Sequence, residues 1–152
     1  MDRLLMFIAT GAGSGNLPKA PGTWGSLVGV LLWVPLSRLS TPSYFMIIGA
    51  LFIIGVFCAG AAEKIVDQGD PSIVVIDEIV GQLIALSFIP LHPAALLAGF
   101  ILFRFFDIIK PYPISWIDRH LHGGLGIMLD DVMAALYALL VLHLGLWVLH
   151  IL

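Results

Sequence analysis

Five carboxylates stand where apolar runs of the chain begin or end: Asp77 and Glu78 open one run, Asp107 closes another, and Asp130 and Asp131 open the last. A carboxylate beside hydrocarbon is costly, so acids kept at these positions point to a use. The chemistry expected of them is a cation held at a membrane surface. Asp77 and Glu78 also suit a plainer role, because acids in a first helical turn complement the helix dipole. Adjacent residues project about 100° apart on a helix, so one acid can serve the helix start while the other binds a cation. Asp70, in a turn before Pro71, ranks behind that pair.

Arg104, Asp107 and Lys110 recur every three residues, a spacing that places them on one helical face. They form either an ion-pair ladder with snorkelling cations, or a site in which Asp107 binds a metal and Arg104 or Lys110 grips a phosphate oxygen. Gly11–Ser26 is rich in glycine. Its amides can approach an anion, with Thr23 capping the helix that follows; a flexible loop entering a span fits the same composition. No Walker A ending is present. Between Asp118 and Asp131 a second glycine-rich loop leads to the last diacid, and His120 and His122 there are candidate ligands or proton carriers. His92, His143 and His150 lie in or beside apolar runs and read as structural. Carboxylates with few imidazoles and no useful thiol favour Mg2+ or Mn2+ over Zn2+.

These residues must be positioned by membrane helices. Hydrophobic residues make up 60% of the chain and charged residues 11%, against roughly a quarter charged in soluble domains. The mean hydropathy is +1.06. A net charge of -3 without a basic stripe excludes nucleic acid as a partner. Cys58 is the single cysteine, read as a small buried or lipid-facing residue; it allows no intrachain disulfide. Arg3 precedes an apolar stretch, Leu4–Ala9, too short for a signal peptide.

Four apolar stretches stand out: Leu27–Leu36, Tyr44–Ala62, Leu83–Phe106 and Val132–Leu152. The second and fourth reach the roughly 20 residues a crossing needs. The first, extended back to Thr23, gives only about 20 Å of helix. The third is broken by Pro90 and Pro93. As one kinked span it would put Asp77 and Glu78 across the membrane from Arg104 and Asp107; as a hairpin, the preferred reading, it gathers all four on one side. The hairpin puts Arg3, Lys19, Lys64, Arg104, Lys110 and Arg119 on one side and Arg38 on the other, making the first side cytoplasmic. Trp33, Trp116 and Trp147 lie near run ends and suit interfacial positions. The expected fold is all-α: a polytopic helical membrane protein of about four to five spans, some short or re-entrant. It forms one domain over 1–152, with a glycine-rich cytoplasmic or interfacial loop (1–26), a helical bundle (27–152) and cytoplasmic loops at 63–78 and 107–131.

Four motifs in order resemble the phosphatidylglycerophosphatase A family. They are Ala20-Pro21-Gly22-Thr23-x-Gly25-Ser26, Ile76-Asp77-Glu78-Ile79-Val80-Gly81, Phe103-Arg104-x-x-Asp107-x-x-Lys110-Pro111-x-Pro113-Ile114, and Gly123-Gly124-x-Gly126-Ile127-Met128-x-Asp130-Asp131. The resemblance runs from about residue 11 to 135. It departs from the expected pattern at Ala135, where a glycine would follow the second diacid; a methyl for a hydrogen there bears on packing more than on chemistry. The resemblance implies a Mg2+-dependent enzyme of the bacterial inner membrane. It would be multi-pass with a cytoplasmic active site, and would convert phosphatidylglycerophosphate to phosphatidylglycerol in phospholipid biosynthesis. It carries over Asp77, Glu78, Asp107, Asp130 and Asp131 as metal ligands. Asp77, Glu78, Asp107, Asp131, Arg104 and Lys110 become the catalytic set, and Thr23, Arg104 and Lys110 expected substrate contacts; the residue types of the two glycine-rich loops add Gly13, Lys19 and His122 to those contacts. Membrane lipids are the implied partners, and a homo-oligomer is compatible with the sequence. The rival reading is a small cation transporter or channel subunit using the same carboxylates as an ion site. Against it, transporters bind near the midplane, while these acids gather at one surface. The acid patterns of CDP-alcohol phosphotransferases and haloacid-dehalogenase phosphatases are absent, as is the Cys-x5-Arg loop of cysteine phosphatases.

Overall fold

Long apolar runs without internal proline set the two largest helices. The computed structural model describes residues 1–149. Among them are α1 (Asp2–Ala9), a 3-10 turn (Ser14–Asn16), α2 (Pro21–Leu36), α3 (Thr41–Val66), α4 (Ile76–Ala85), α5 (Pro93–Ile109), α6 (Ile114–His120) and α7 (Gly123–Val148), and no strand. The all-α expectation holds. α3 and α7 each have 26 residues and are apolar enough to cross a bilayer; at 1.5 Å per residue each reaches about 39 Å, beyond a hydrocarbon core of about 30 Å. Their outer faces expose Ile53, Phe57, Leu140 and Leu144, side chains suited to hydrocarbon.

α4, ten residues and about 15 Å long, is the most enclosed helix: Ile76, Asp77, Ile79, Val80, Gly81, Gln82, Leu83 and Ala85 are all buried. α2 and α7 cover most of it, and α3 and α5 close the remaining sides. Pro90 and Pro93 separate it from α5, with Pro93 opening that helix, where a missing amide hydrogen costs nothing. The two helices fold back as a hairpin: a Cβ on Gly81 would fall 2.6 Å from the Phe103 ring, and Arg104 Nη1 lies 3.6 Å from Glu78 Oε1. The preferred hairpin is therefore the observed one, and it gathers the four charged residues at one end.

Several local expectations change. Asp130 and Asp131 do not open α7 but lie two turns inside it, because Gly123, Gly124 and Gly126 are already helical. Close packing explains this use of glycine: a Cβ on Gly124 would overlap the Val56 carbonyl of α3, and one on Gly126 the Leu121 carbonyl. Thr23 does not cap α2; Ala20 holds that position with φ 50° and Pro21 is the first helical residue. Residues 1–26 are not one loop, since they hold α1, the 3-10 turn and the start of α2. Trp33 is 2% exposed, a core residue and not an interfacial anchor, whereas Trp116 and Trp147 are exposed and Cys58 is buried. The end of the last apolar stretch, His150 included, lies outside the described residues.

Candidate active site

Four elements converge at one end of the bundle. Asp77 and Glu78 stand in the first turn of α4, where the dipole favours acids. Asp107 stands in the last turn of α5, where the dipole opposes it. Arg104 offsets that cost, its Nη1 lying 2.6 Å from Asp107 Oδ2. Asp131 comes from inside α7, brought close because Gly81 has no side chain: a Cβ there would meet the Asp131 carbonyl at 3.2 Å. Asp77, Glu78 and Asp131 each offer an oxygen within 4.8 Å of the others. A cavity of about 240 Å3 joins them to Asp70, Asp107, Asp130, Arg104 and Lys110.

This cavity is short of positive charge. Asp77, Asp130 and Asp131 are at most 8% exposed, and one oxygen on each of them and on Glu78 has no hydrogen-bond partner. Burying an uncompensated carboxylate costs several kcal/mol. Arg104 and Lys110 are the only cations on the lining, and both are already engaged with carboxylates. An all-oxygen donor set with spare buried lone pairs suits a hard divalent cation. Arg104 Nη1 is held by Asp107, but Nε lacks a hydrogen-bond partner, so the guanidinium keeps a donor for a phosphate oxygen.

Lys110 leaves the expected ladder. Pro111 disfavours helical backbone at the residue before it, and Lys110 closes α5 in a left-handed conformation, φ 46° and ψ 59°. Its side chain crosses to the other helices, with Nζ 2.5 Å from Asp118 Oδ1 of α6 and paired also with Asp130 Oδ2. Burial alone would lower the pKa of this ammonium, but the two carboxylates outweigh it and the net shift is upward. The ladder reading thus keeps one rung, Arg104–Asp107.

The amino-terminal contribution is Gly22, which the sequence did not single out from its motif. It lines the cavity with Ala20 and Pro21, and the first turn of α2 sits directly on the Glu78–Arg104 pair. Thr23, Gly13 and Lys19 are not on that lining; Gly13 is half-buried beside Asn16 and Lys19 is exposed. His122 lines a neighbouring cavity of about 270 Å3 with Glu63 and Asp118, which shares Asp70 and Asp130 with the acid cavity. His120 stacks on Trp116. Ser72 and Val74 complete the lining of the acid cavity; nothing in their types signalled it.

The chain matches the family model described as Phosphatidylglycerophosphatase A over residues 7–146. A Haemophilus influenzae protein named phosphatidylglycerophosphatase A is 46% identical over 136 residues, 88% of this chain and 83% of that one. An Escherichia coli protein of the same name is 36% identical over 137 residues, 90% and 80% of the two chains. A Bacteroides thetaiotaomicron protein named "Putative phosphatidylinositol-3-phosphatase" is 35% identical over 153 residues, 95% of each. No solved structure matches the chain. The four motifs that meet at the acid cavity all fall within the matched region, and the chain belongs to the phosphatidylglycerophosphatase A family.

Proposed function

We propose that this enzyme hydrolyses phosphatidylglycerophosphate to phosphatidylglycerol and phosphate, with Mg2+ as cofactor. The reaction would serve phospholipid biosynthesis at the cytoplasmic face of the bacterial inner membrane. The observation that carries the reading is the cluster of buried carboxylates with unpartnered oxygens beside a guanidinium with a free donor at Nε. Asp77, Glu78 and Asp131 would hold the metal, with Asp107 and Asp130 on the same lining. A bound Mg2+ neutralises phosphate oxygens and lowers the pKa of water.

The chain's own residues supply the rest. Arg104 and Lys110 stabilise the charge that develops on the phosphoryl oxygens, since phosphoryl transfer depends mainly on positioning and electrostatics. The first turn of α2, with no side chain at Gly22, lets backbone come close to a phosphate. Water adds to phosphorus and the bond to the glycerol oxygen breaks. The proton lost by water ends on that oxygen, giving the free hydroxyl of phosphatidylglycerol. The exposed apolar faces of α3, α5 and α7 suit the acyl chains and surrounding lipid, so the head group enters a site set at helix ends.

The test is phosphate release by the detergent-purified protein from phosphatidylglycerophosphate, phosphatidic acid and phosphatidylinositol 3-phosphate, each with Mg2+ and with EDTA. Metal-dependent release, fastest from phosphatidylglycerophosphate, is expected. No release from any of them by a folded, Mg2+-supplied sample would overturn the reading and favour an ion site.

A further inference from the structure

Lys110 closes α5 in a left-handed conformation ahead of Pro111, and from there its side chain reaches partners on two other helices. One partner, Asp130, is 6% exposed and belongs to the cavity. The other, Asp118, has a side chain 39% exposed and is not on the acid-cavity lining; it faces the neighbouring cavity. An ammonium has three donors. Two are taken by Asp118 and Asp130, leaving one for an oxygen inside the cavity that Lys110 lines.

We propose that Asp118 is a positioning residue: it holds Lys110 Nζ at the rim of the acid cavity, between α6 and α7. This rests on the reading of Lys110 as a cation for the phosphoryl group. Without Asp118 the ammonium has only acids of the cavity to pair with, and it would collapse onto Asp130 and its unpartnered neighbours. It would then neutralise carboxylate oxygens and no longer face the phosphate. Asp118 balances that pull from outside the cavity. α6, a helix of only seven residues (Ile114–His120), carries it there, fixed by Ile114, which is fully buried.

The experiment is a double-mutant cycle of Asp118→Asn with Lys110→Ala, assayed on phosphatidylglycerophosphate with Mg2+, together with amine labelling. Asp118→Asn is expected to lower kcat by about tenfold or more, the usual effect of losing an outer-shell partner, with a smaller change in KM. Asp118→Glu, which keeps the carboxylate, should recover part of the loss. In the Lys110→Ala background the Asp118→Asn change should have almost no further effect, because the two act as one unit. Labelling by acetic anhydride, read by mass spectrometry, reports on Lys110 even where activity is too low to measure. Lys19 and Lys64 are exposed and serve as internal references. Acylation of Lys110 relative to them should fall severalfold in Asp118→Asn, because the ammonium withdraws from the rim onto the carboxylates of the cavity. Unchanged kcat with unchanged labelling would overturn the proposal, as would an undiminished loss in the Lys110→Ala background. Full turnover by Lys110→Ala alone would instead remove Lys110 from the mechanism, and the labelling would still decide whether Asp118 holds it.

Discussion

Gly22 and Glu78 meet where no side chain can come between them: a Cβ on Gly22 would overlap Glu78 Oε1 and fall 2.7 Å from Arg104 Nη1. The first turn of α2 therefore fixes how deep the Glu78–Arg104 pair sits in the cavity. Gly22→Ala must displace one of the two side chains, and a shift near 1 Å at a reacting site costs about 100-fold in rate. Turnover should fall by that order. Gly49→Ala is the control: a Cβ there meets nothing within 4 Å, and replacing a helical glycine stabilises by up to about 1 kcal/mol. Initial rates and thermal unfolding of both variants check this; an active Gly22→Ala enzyme would mean the α2 turn does not set the site.

The buried acids make a separable prediction about metal. Asp131→Asn keeps the shape of the side chain and removes one charge from a cluster with unpartnered oxygens. The metal-free variant should unfold at a higher temperature than the metal-free wild type, because like charges in a buried site repel. Mg2+ should stabilise the wild type, as any ligand of the folded state does, by about 2.7 kcal/mol at a hundred times its Kd, and so raise its unfolding temperature. Asp131→Asn should lose most of that rise together with its turnover. A variant that is inactive yet stabilised by Mg2+ as much as the wild type would remove Asp131 from the metal site.

Packing of the hairpin can be tested without any assay of activity. Gly81→Ala would place a methyl 2.6 Å from the Phe103 ring, and overpacking of this kind costs typically 1–3 kcal/mol. Phe103 is fully buried and cannot swing outward. Gly81→Ala should therefore lower the unfolding temperature, and Phe103→Leu, which makes room, should restore part of it in the double variant. Additive losses in the pair would show that the two residues do not share the contact.

What the sequence disclosed of this site follows from how local each signal is. Pro90 and Pro93 break a helix wherever they occur, so the hairpin and the company of Glu78 with Arg104 could be read directly. The fate of Lys110 was half legible: its three-residue spacing from Asp107 indicates a shared face, but Pro111 ends the helix at that residue, and the proline prevails. Glycines at 123, 124 and 126 read as a loop because glycine is a poor helix former. The approach of the Val56 carbonyl on α3 explains why position 124 must be glycine, and that contact spans more than sixty residues of sequence. Trp33 and Gly22 are similar cases, since burial of one and the cavity position of the other depend on neighbours distant in the chain.

The last prediction concerns how the hairpin sits in the membrane. Acids and most cations of the chain gather at the end of the bundle carrying Glu78, Asp107 and Asp131, while Ser40 precedes α3 and Leu91 lies between α4 and α5. Both are exposed, as is Gln68 after α3. Cys58 is buried and is the only cysteine, so Cys58→Ala gives a clean background for Ser40→Cys, Leu91→Cys and Gln68→Cys. With a membrane-impermeant thiol reagent on intact spheroplasts, Ser40→Cys and Leu91→Cys should label, and Gln68→Cys only after lysis. α5 is about 25 Å long and α4 about 15 Å, so α5 sets how far Leu91 reaches. Labelling of Ser40→Cys without Leu91→Cys would make the hairpin re-entrant, its turn held inside the bundle. Labelling of Gln68→Cys in intact spheroplasts would place the acid cavity on the outer face and end the cytoplasmic assignment.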